Sequence, residues 1–189
     1  MTSIIEILAV TTALLYLFLA AKEDVKCWYA AIISSSLYFF IMINADLIME
    51  ACLQIFYIGM ALFGLNQWRK SYAGNQSIKI KTWELKTHFY VISIILIISL
   101  LSGLLLNKYT NAALPFLDAI TTFGAIITTY MVAIKVLENW LYWFVIDSIS
   151  IYIFVSRELF LTAGLFSVYL VIIIFGYISW KKNLLEKYH

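Results

Sequence analysis

The sequence predicts an all-α integral membrane protein: seven transmembrane helices arranged as a 3+1+3 parallel repeat. Three observations predict it. Of 189 residues, 63% are hydrophobic and only 13% charged. Soluble domains run near roughly 45–50% and about 25%, so the chain lacks the charge to cover a water-facing surface. The apolar residues fall in seven long continuous runs, and the chain matches itself at an offset of 112 residues. The same counts exclude a disordered chain, a disulfide scaffold and a nucleic-acid-binding tail.

An apolar stretch of about 20 residues crosses a ~30 Å bilayer core as a helix. Continuity of the runs, in place of alternation, excludes barrel strands. The first run, Ile4–Ala21, has no basic leader, carries Glu6 early and shows no small-residue cleavage site, so it is expected to remain in the mature protein. The second, Cys27–Ile43, follows Lys22 and Lys26, and the third, Leu47–Trp68, ends against Arg69 and Lys70. A polar segment, Arg69–Lys86, is the longest connection. The fourth run is Phe89–Leu106; the fifth, Leu114–Ile134, opens on Pro115, whose missing N–H is harmless in a first helical turn. Trp140–Ser156 and Leu159–Trp180 complete the set.

Seven crossings place Lys22, Lys26, Arg69, Lys70, Lys79, Lys81, Lys86, Lys135, Lys181, Lys182 and Lys187 on one side, leaving Lys108 and Arg157 on the other; together these are all 13 basic residues. The positive-inside rule makes the basic side cytoplasmic, with the N-terminus outside and the C-terminus inside.

At the 112-residue offset Trp28 falls on Trp140 and Trp68 on Trp180, without a gap. Ser36 meets Ser148, Leu47 Leu159, Ala51 Ala163, Leu53 Leu165, Tyr57 Tyr169, Phe63 Phe175, Gly64 Gly176 and Lys70 Lys182. Glu6 and Asp118, Asp46 and Glu158, and Arg69 and Lys181 agree in charge. The chain therefore divides into a first triplet over 1–70, a loop and linking helix over 71–112 and a second triplet over 113–189. One linking helix gives both triplets the same polarity. Parallel repeats of this kind relate by an axis along the membrane normal and place a substrate site between them near the midplane, which is transporter architecture.

Within the third run, Gln54, Tyr57, Ala61, Gly64 and Trp68 share one helical face, as do Phe166, Tyr169, Ile173, Gly176 and Trp180 in the seventh. Helix packing and interfacial anchoring account for the glycines and tryptophans. They do not account for Gln54, whose amide needs a partner or a cavity. In the sixth run Trp140, Trp143 and Asp147 stack at i, i+3 and i+7. A carboxylate at that depth costs at least ~2.5–3.5 kcal/mol on insertion scales and should face the bundle interior or water. Two indoles and a carboxylate suit a cationic ring, although a structural hydrogen bond to a neighbouring Ser or Tyr would also satisfy Asp147. Its counterpart at the offset is Ser35, so the site is expected to be asymmetric. The candidate substrate contacts are Trp140, Trp143, Asp147, Gln54, Tyr57, Asn139 and Ser35. Glu6, Asp118 and Glu50 read as interfacial. Cys27 and Cys52 show no pairing pattern, and His88 and His189 make no metal cluster, so no cofactor is expected. No motif for an intramembrane enzyme occurs.

The segment Glu138-Asn139-Trp140-Leu141-Tyr142-Trp143, followed by Asp147 and Ser148, resembles the Pnu family of bacterial vitamin transporters, whose members carry nicotinamide riboside or thiamine. Trp140, Trp143 and Asp147 match its W-x-x-W-x-x-x-[N/D] pattern; Leu53-Gln54-Ile55-Phe56 with Gly64 and Trp68, and Gly176 with Trp180-Lys181-Lys182, extend the likeness over nearly the whole chain. The resemblance implies a fold like that of the sugar-transporting SWEET proteins, a homotrimer in the bacterial inner membrane, and facilitated diffusion of a vitamin that a cytosolic kinase then traps. Nicotinamide riboside members carry Asn where this chain has Asp147. An aspartate can accept from the amino-pyrimidine of thiamine, which puts thiamine first and nicotinamide riboside close behind. The rival expectation is a substrate-binding membrane subunit that needs an ATP-driven partner, docked through the small residues Ala9 and Ala13.

Overall fold

A computed structural model describes residues 2–44, 48–72, 78–110 and 113–186, without the side chains of 2–3, 48–50 and 71–72. Asp46, Leu47, Lys187 and His189 lie outside the described residues, as does the Glu50 side chain. Seven helices follow in order: α1 Thr2–Ala21, α2 Cys27–Asn44, α3 Ile48–Tyr72, α4 Leu85–Tyr109, α5 Pro115–Ala133, α6 Asn139–Ser156 and α7 Phe160–Glu186. Among the described residues there is no strand, only a parallel bridge between Lys81 and Val136. Among the described residues, six of the helices are long and apolar enough to cross a membrane. α3 is the least apolar of the seven, carrying Gln54, Asn66 and Gln67 before the terminal Arg69 and Lys70. Its neighbours α2 and α5 flank it.

The helices close into a ring. Going round, α1 packs on α2, α2 on α3, α3 on α5, α5 on α6, α6 on α7, and α7 returns to α1. Among the described residues no backbone approach joins helices across the ring, and α4 packs on α5 alone, outside it. Ser99 and Gly103 are buried on the face α4 turns to α5, and the Phe116 ring lies where a Gly103 side chain would begin. The rest of α4 is an exposed apolar surface that includes Leu96, Leu100 and Leu104.

The apolar core concentrates at the end of the ring where the basic residues gather. Ala20, Cys27, Trp28, Trp68, Val132, Ala133, Trp140 and Trp180 form one buried cluster there, joined by Ile80 from the α3–α4 connection. Trp68 and Trp180 are therefore not interfacial anchors, as the sequence suggests; they are 1% and 0% exposed. The glycines on their faces admit indoles, not backbones. A Cβ at Gly64 would stand 2.5 Å from Trp28 Cε2, and one at Gly176 2.6 Å from Trp140 Cη2.

Two turns face each other at this end. Glu23 follows α1 with φ 56°, and Lys135 follows α5 with φ 55°. Both are left-handed, a region that the β-carbon makes unfavourable for non-glycine residues. Between helices the Lys135 Nζ donates to Glu23 Oε2 at 2.8 Å, across a sequence separation of 112. The connection before α4 is stitched to the same turn: the Lys81 amide donates to the Lys135 carbonyl at 3.0 Å and the Leu137 amide to the Lys81 carbonyl at 2.8 Å.

Candidate functional site

Asp147 sits eight residues into α6, about 12 Å along the axis from Asn139. It is 4% exposed, on the buried stripe that also holds Trp140, Ile146, Ser150 and Ile153. It has no hydrogen-bond or ion-pair partner among the described residues. Tyr57 of α3 and Tyr169 of α7 both lie within electrostatic range of it. Because the α3 and α6 backbones do not approach, a Tyr57 that reaches Asp147 does so across the ring interior. The carboxylate therefore points into the ring. Tyr38 of α2 is in turn within electrostatic range of Tyr169, and Tyr16 of α1 within that of Tyr57.

The remaining expected contacts divide by height. Gln54 is half-buried and Ser35 buried, on α3 and α2, and neither side chain has a bonding partner among the described residues. Both stand on ring helices away from the packed end. Trp143 is half-buried against the apolar cluster. Trp140 belongs to that cluster outright: its ring meets Trp180 edge-on at 5.5 Å. Asn139 is fully buried at the turn, with Nδ2 donating to the Val136 carbonyl at 2.6 Å, and so is a full two turns removed from Asp147. Asp147 thus has Tyr57 within electrostatic range, while Asn139 stays at the helix entrance.

Sequence reasoning missed Tyr169, Tyr38 and Tyr16. For Tyr169 the signal was available, since it stands 112 residues after Tyr57.

Beneath this polar group the ring is closed by four indoles in a chain. Trp28 meets Trp68 edge-on at 5.4 Å, Trp68 meets Trp180 at 6.1 Å, and Trp180 meets Trp140 at 5.5 Å. The two central indoles are tied to neighbouring helices at the two seams between the halves. Trp68 Nε1 donates to the Ala133 carbonyl at 3.1 Å and Trp180 Nε1 to the Ala20 carbonyl at 3.0 Å, each satisfying a helix-terminal acceptor. The two outer ones, Trp28 and Trp140, keep buried Nε1–H groups with no partner. The polar group and the indole chain thus have the order of a cup: an unpaired carboxylate, tyrosines within electrostatic range of it, and an aromatic floor. Of the ring helices, α1, α2, α5 and α6 contain no Lys or Arg, and α3 and α7 carry theirs near their C-terminal ends. Among the described residues no group of His, Cys, Asp and Glu could hold a metal ion.

A family described as "Nicotinamide mononucleotide transporter" matches residues 3–182. The chain belongs to that family. Its likeness to the Pnu transporters extends to individual members. It is 26% identical over 187 residues to the nicotinamide riboside transporter PnuC of Neisseria mucosa, covering 92% of this chain and 70% of the relative. The crystal structure of a vitamin B3 transporter PnuC superposes with a TM-score of 0.78 at 21% identity, covering 97% of this chain and 83% of that one. The Pnu resemblance carried by Trp140, Trp143 and Asp147 is therefore borne out, and the helical membrane fold with it.

Proposed function

We propose that the chain carries nicotinamide riboside, or a closely related nucleoside vitamin, across a bacterial inner membrane through the helical ring. One observation carries the reading: the Asp147 carboxylate is buried at membrane depth with no partner among the described residues, within electrostatic range of Tyr57 and Tyr169. An unpaired carboxylate in that setting is a functional group by default. A pyridinium ring supplies the missing countercharge, the tyrosine faces add cation–π attraction, and ribose hydroxyls can donate to Asp147, Gln54 or Ser35. A phosphate would meet the Asp147 charge with no Lys or Arg at that height, so the unphosphorylated nucleoside suits this cup better than the mononucleotide. Thiamine, placed first from Asp147 alone, gains no support from the comparisons and moves behind nicotinamide riboside. Calorimetric titration of the purified protein tests the order: nicotinamide riboside binds, thiamine binds more weakly and riboflavin does not. Equal or stronger thiamine binding reverses it.

The finer architecture belongs to the same proposal. Seven spans, with α3 as the least apolar, form two parallel triplets around α4 in a SWEET-like 3+1+3 arrangement over 1–70, 71–112 and 113–189. Support comes from features 112 residues apart: Gly64 against Trp28 and Gly176 against Trp140, and equal φ angles at Glu23 and Lys135. The basic end is cytoplasmic by the positive-inside rule, the N-terminus is outside, and the open side of the cup then faces outward. Transport is passive, with a cytosolic kinase trapping the product, and the exposed face of α4 is available for a homotrimer. The rival reading as a subunit of an ATP-driven complex loses its docking patch, because Ala9 is fully buried and accepts from Ser34 of α2.

A further inference from the structure

Among the described residues, the packed end of the ring is joined by polar bonds of a kind not found elsewhere. Glu23, on the α1–α2 turn, receives Lys135 Nζ on Oε2 at 2.8 Å and Asn183 Nδ2 on Oε1 at 2.7 Å, so both carboxylate oxygens are held by the opposite half of the chain. The Lys135 ammonium also lies over the Trp68 ring, 4.5 Å from its centre. With the two indole bonds to Ala133 and Ala20, these are the side-chain hydrogen bonds that join α1–α3 to α5–α7 among the described residues. All lie at one end. Toward the other end the polar side-chain bonds stay within a triplet, Ser34 to Ala9 and Arg157 to Asp118.

We propose that the indole chain is a gate at the basic end and that the Glu23–Lys135 pair is its latch. The inference rests on the ring being a transport pathway. Four apolar rings alone would make a permanent floor, since separating them exposes apolar surface with nothing to replace the contact. An ion pair behaves differently. Burial weakens its net worth because both ions surrender hydration, and parting the two turns at the membrane edge returns that hydration. The pair therefore keeps the closed state specific without making it irreversible. Lys135 over Trp68 links the latch to the floor: moving the ammonium withdraws a cation from the central indole. The bridge from Lys81 to Lys135 and Leu137 anchors the lysine turn to the connection before α4, leaving the Glu23 turn as the part that swings away.

A native reporter sits inside the closed gate. Cys27 is fully buried in the cluster, whereas Cys52 is exposed. In a Cys52→Ala background, reconstituted in nanodiscs without substrate, the rate of Cys27 alkylation by a water-soluble maleimide measures opening. Glu23→Gln and Lys135→Gln should each raise the rate by about tenfold or more, and the double exchange Glu23→Lys with Lys135→Glu should restore protection. Asn183→Ala, which spares the ion pair, should give an intermediate rise. Parental rates in both single variants overturn the latch, as does an exchange variant that labels as fast as the singles. If a single variant fails to fold, the Asn183→Ala rate and the exchange variant decide alone. Substrate plays no part in this assay, so a chain that binds no nicotinamide riboside would refute the transport reading and leave the labelling contrast standing.

Discussion

Adding one methyl group at Gly176 should cost the protein a measurable share of its stability. A Cβ there would stand 2.6 Å from Trp140 Cη2 and 2.7 Å from Cζ2 and Cζ3. Carbon atoms prefer about 3.5–4.0 Å, so the indole must retreat by about 1 Å. It has nowhere to go: Trp140 is 1% exposed and braced edge-on by Trp180 at 5.5 Å. Overpacking of this kind costs about 1–3 kcal/mol. Gly64→Ala faces the same problem against Trp28, which is held between Trp68 and Tyr16. Gly59 is the internal control. A Cβ there meets nothing within 4 Å, and alanine gains up to about 1 kcal/mol of helix propensity. The assay is thermal unfolding of purified protein in one detergent. At about 2–4 °C per kcal/mol for a chain of this size, Gly176→Ala and Gly64→Ala should each lower Tm by several degrees, while Gly59→Ala holds or raises it. Equal Tm values for all three would refute the picture of indoles wedged onto bare backbone.

Asp147→Asn should weaken binding of nicotinamide riboside by about tenfold or more in calorimetry, with less effect on an uncharged ring analogue, because shape and hydrogen bonding survive while the charge goes. Trp140→Ala should weaken it similarly and also lower Tm, since it empties a packed site; unchanged affinity in both variants would place the site elsewhere. Proteoliposomes containing this protein and no kinase should fill to the external concentration and stop, with or without a pH gradient. Accumulation above that level would show coupling to an ion.

The helices were legible because each apolar run is bounded by charges or by Pro115, and every observed end but that of α7, which runs on to Glu186, falls within four residues of the expected one. α3 is the least apolar of the seven, because its run closes on Asn66 and Gln67 beside α5. Asp147 was legible because a lone carboxylate in an apolar run admits few explanations. The Glu23–Lys135 pair was not, although the two stand 112 residues apart. Self-comparison rewards likeness, and these two residues are opposites. Residues that meet their own counterparts across such a ring must attract each other, so opposite charge is favoured where similarity is scored as absent. The indole chain was hidden for a different reason. Four tryptophans spaced along the sequence fit the common role of anchors at a bilayer surface, and nothing local tells that use from burial against one another.

The longest reach among the stabilising bonds has a bearing on how the chain is made. Trp180 and Asn183 bond to Ala20 and Glu23 across 160 residues. Until α7 emerges from the ribosome, the end of α1 has an unclaimed carbonyl and Glu23 an unclaimed oxygen. Contacts so distant form late, because loop closure must precede them. The first three helices therefore wait in the bilayer as an unfinished half, and a product truncated before α7 would present polar groups and open helix faces to its neighbours. Closure of the ring therefore waits on α7, whose bonds reach back to the end of α1 and the turn after it.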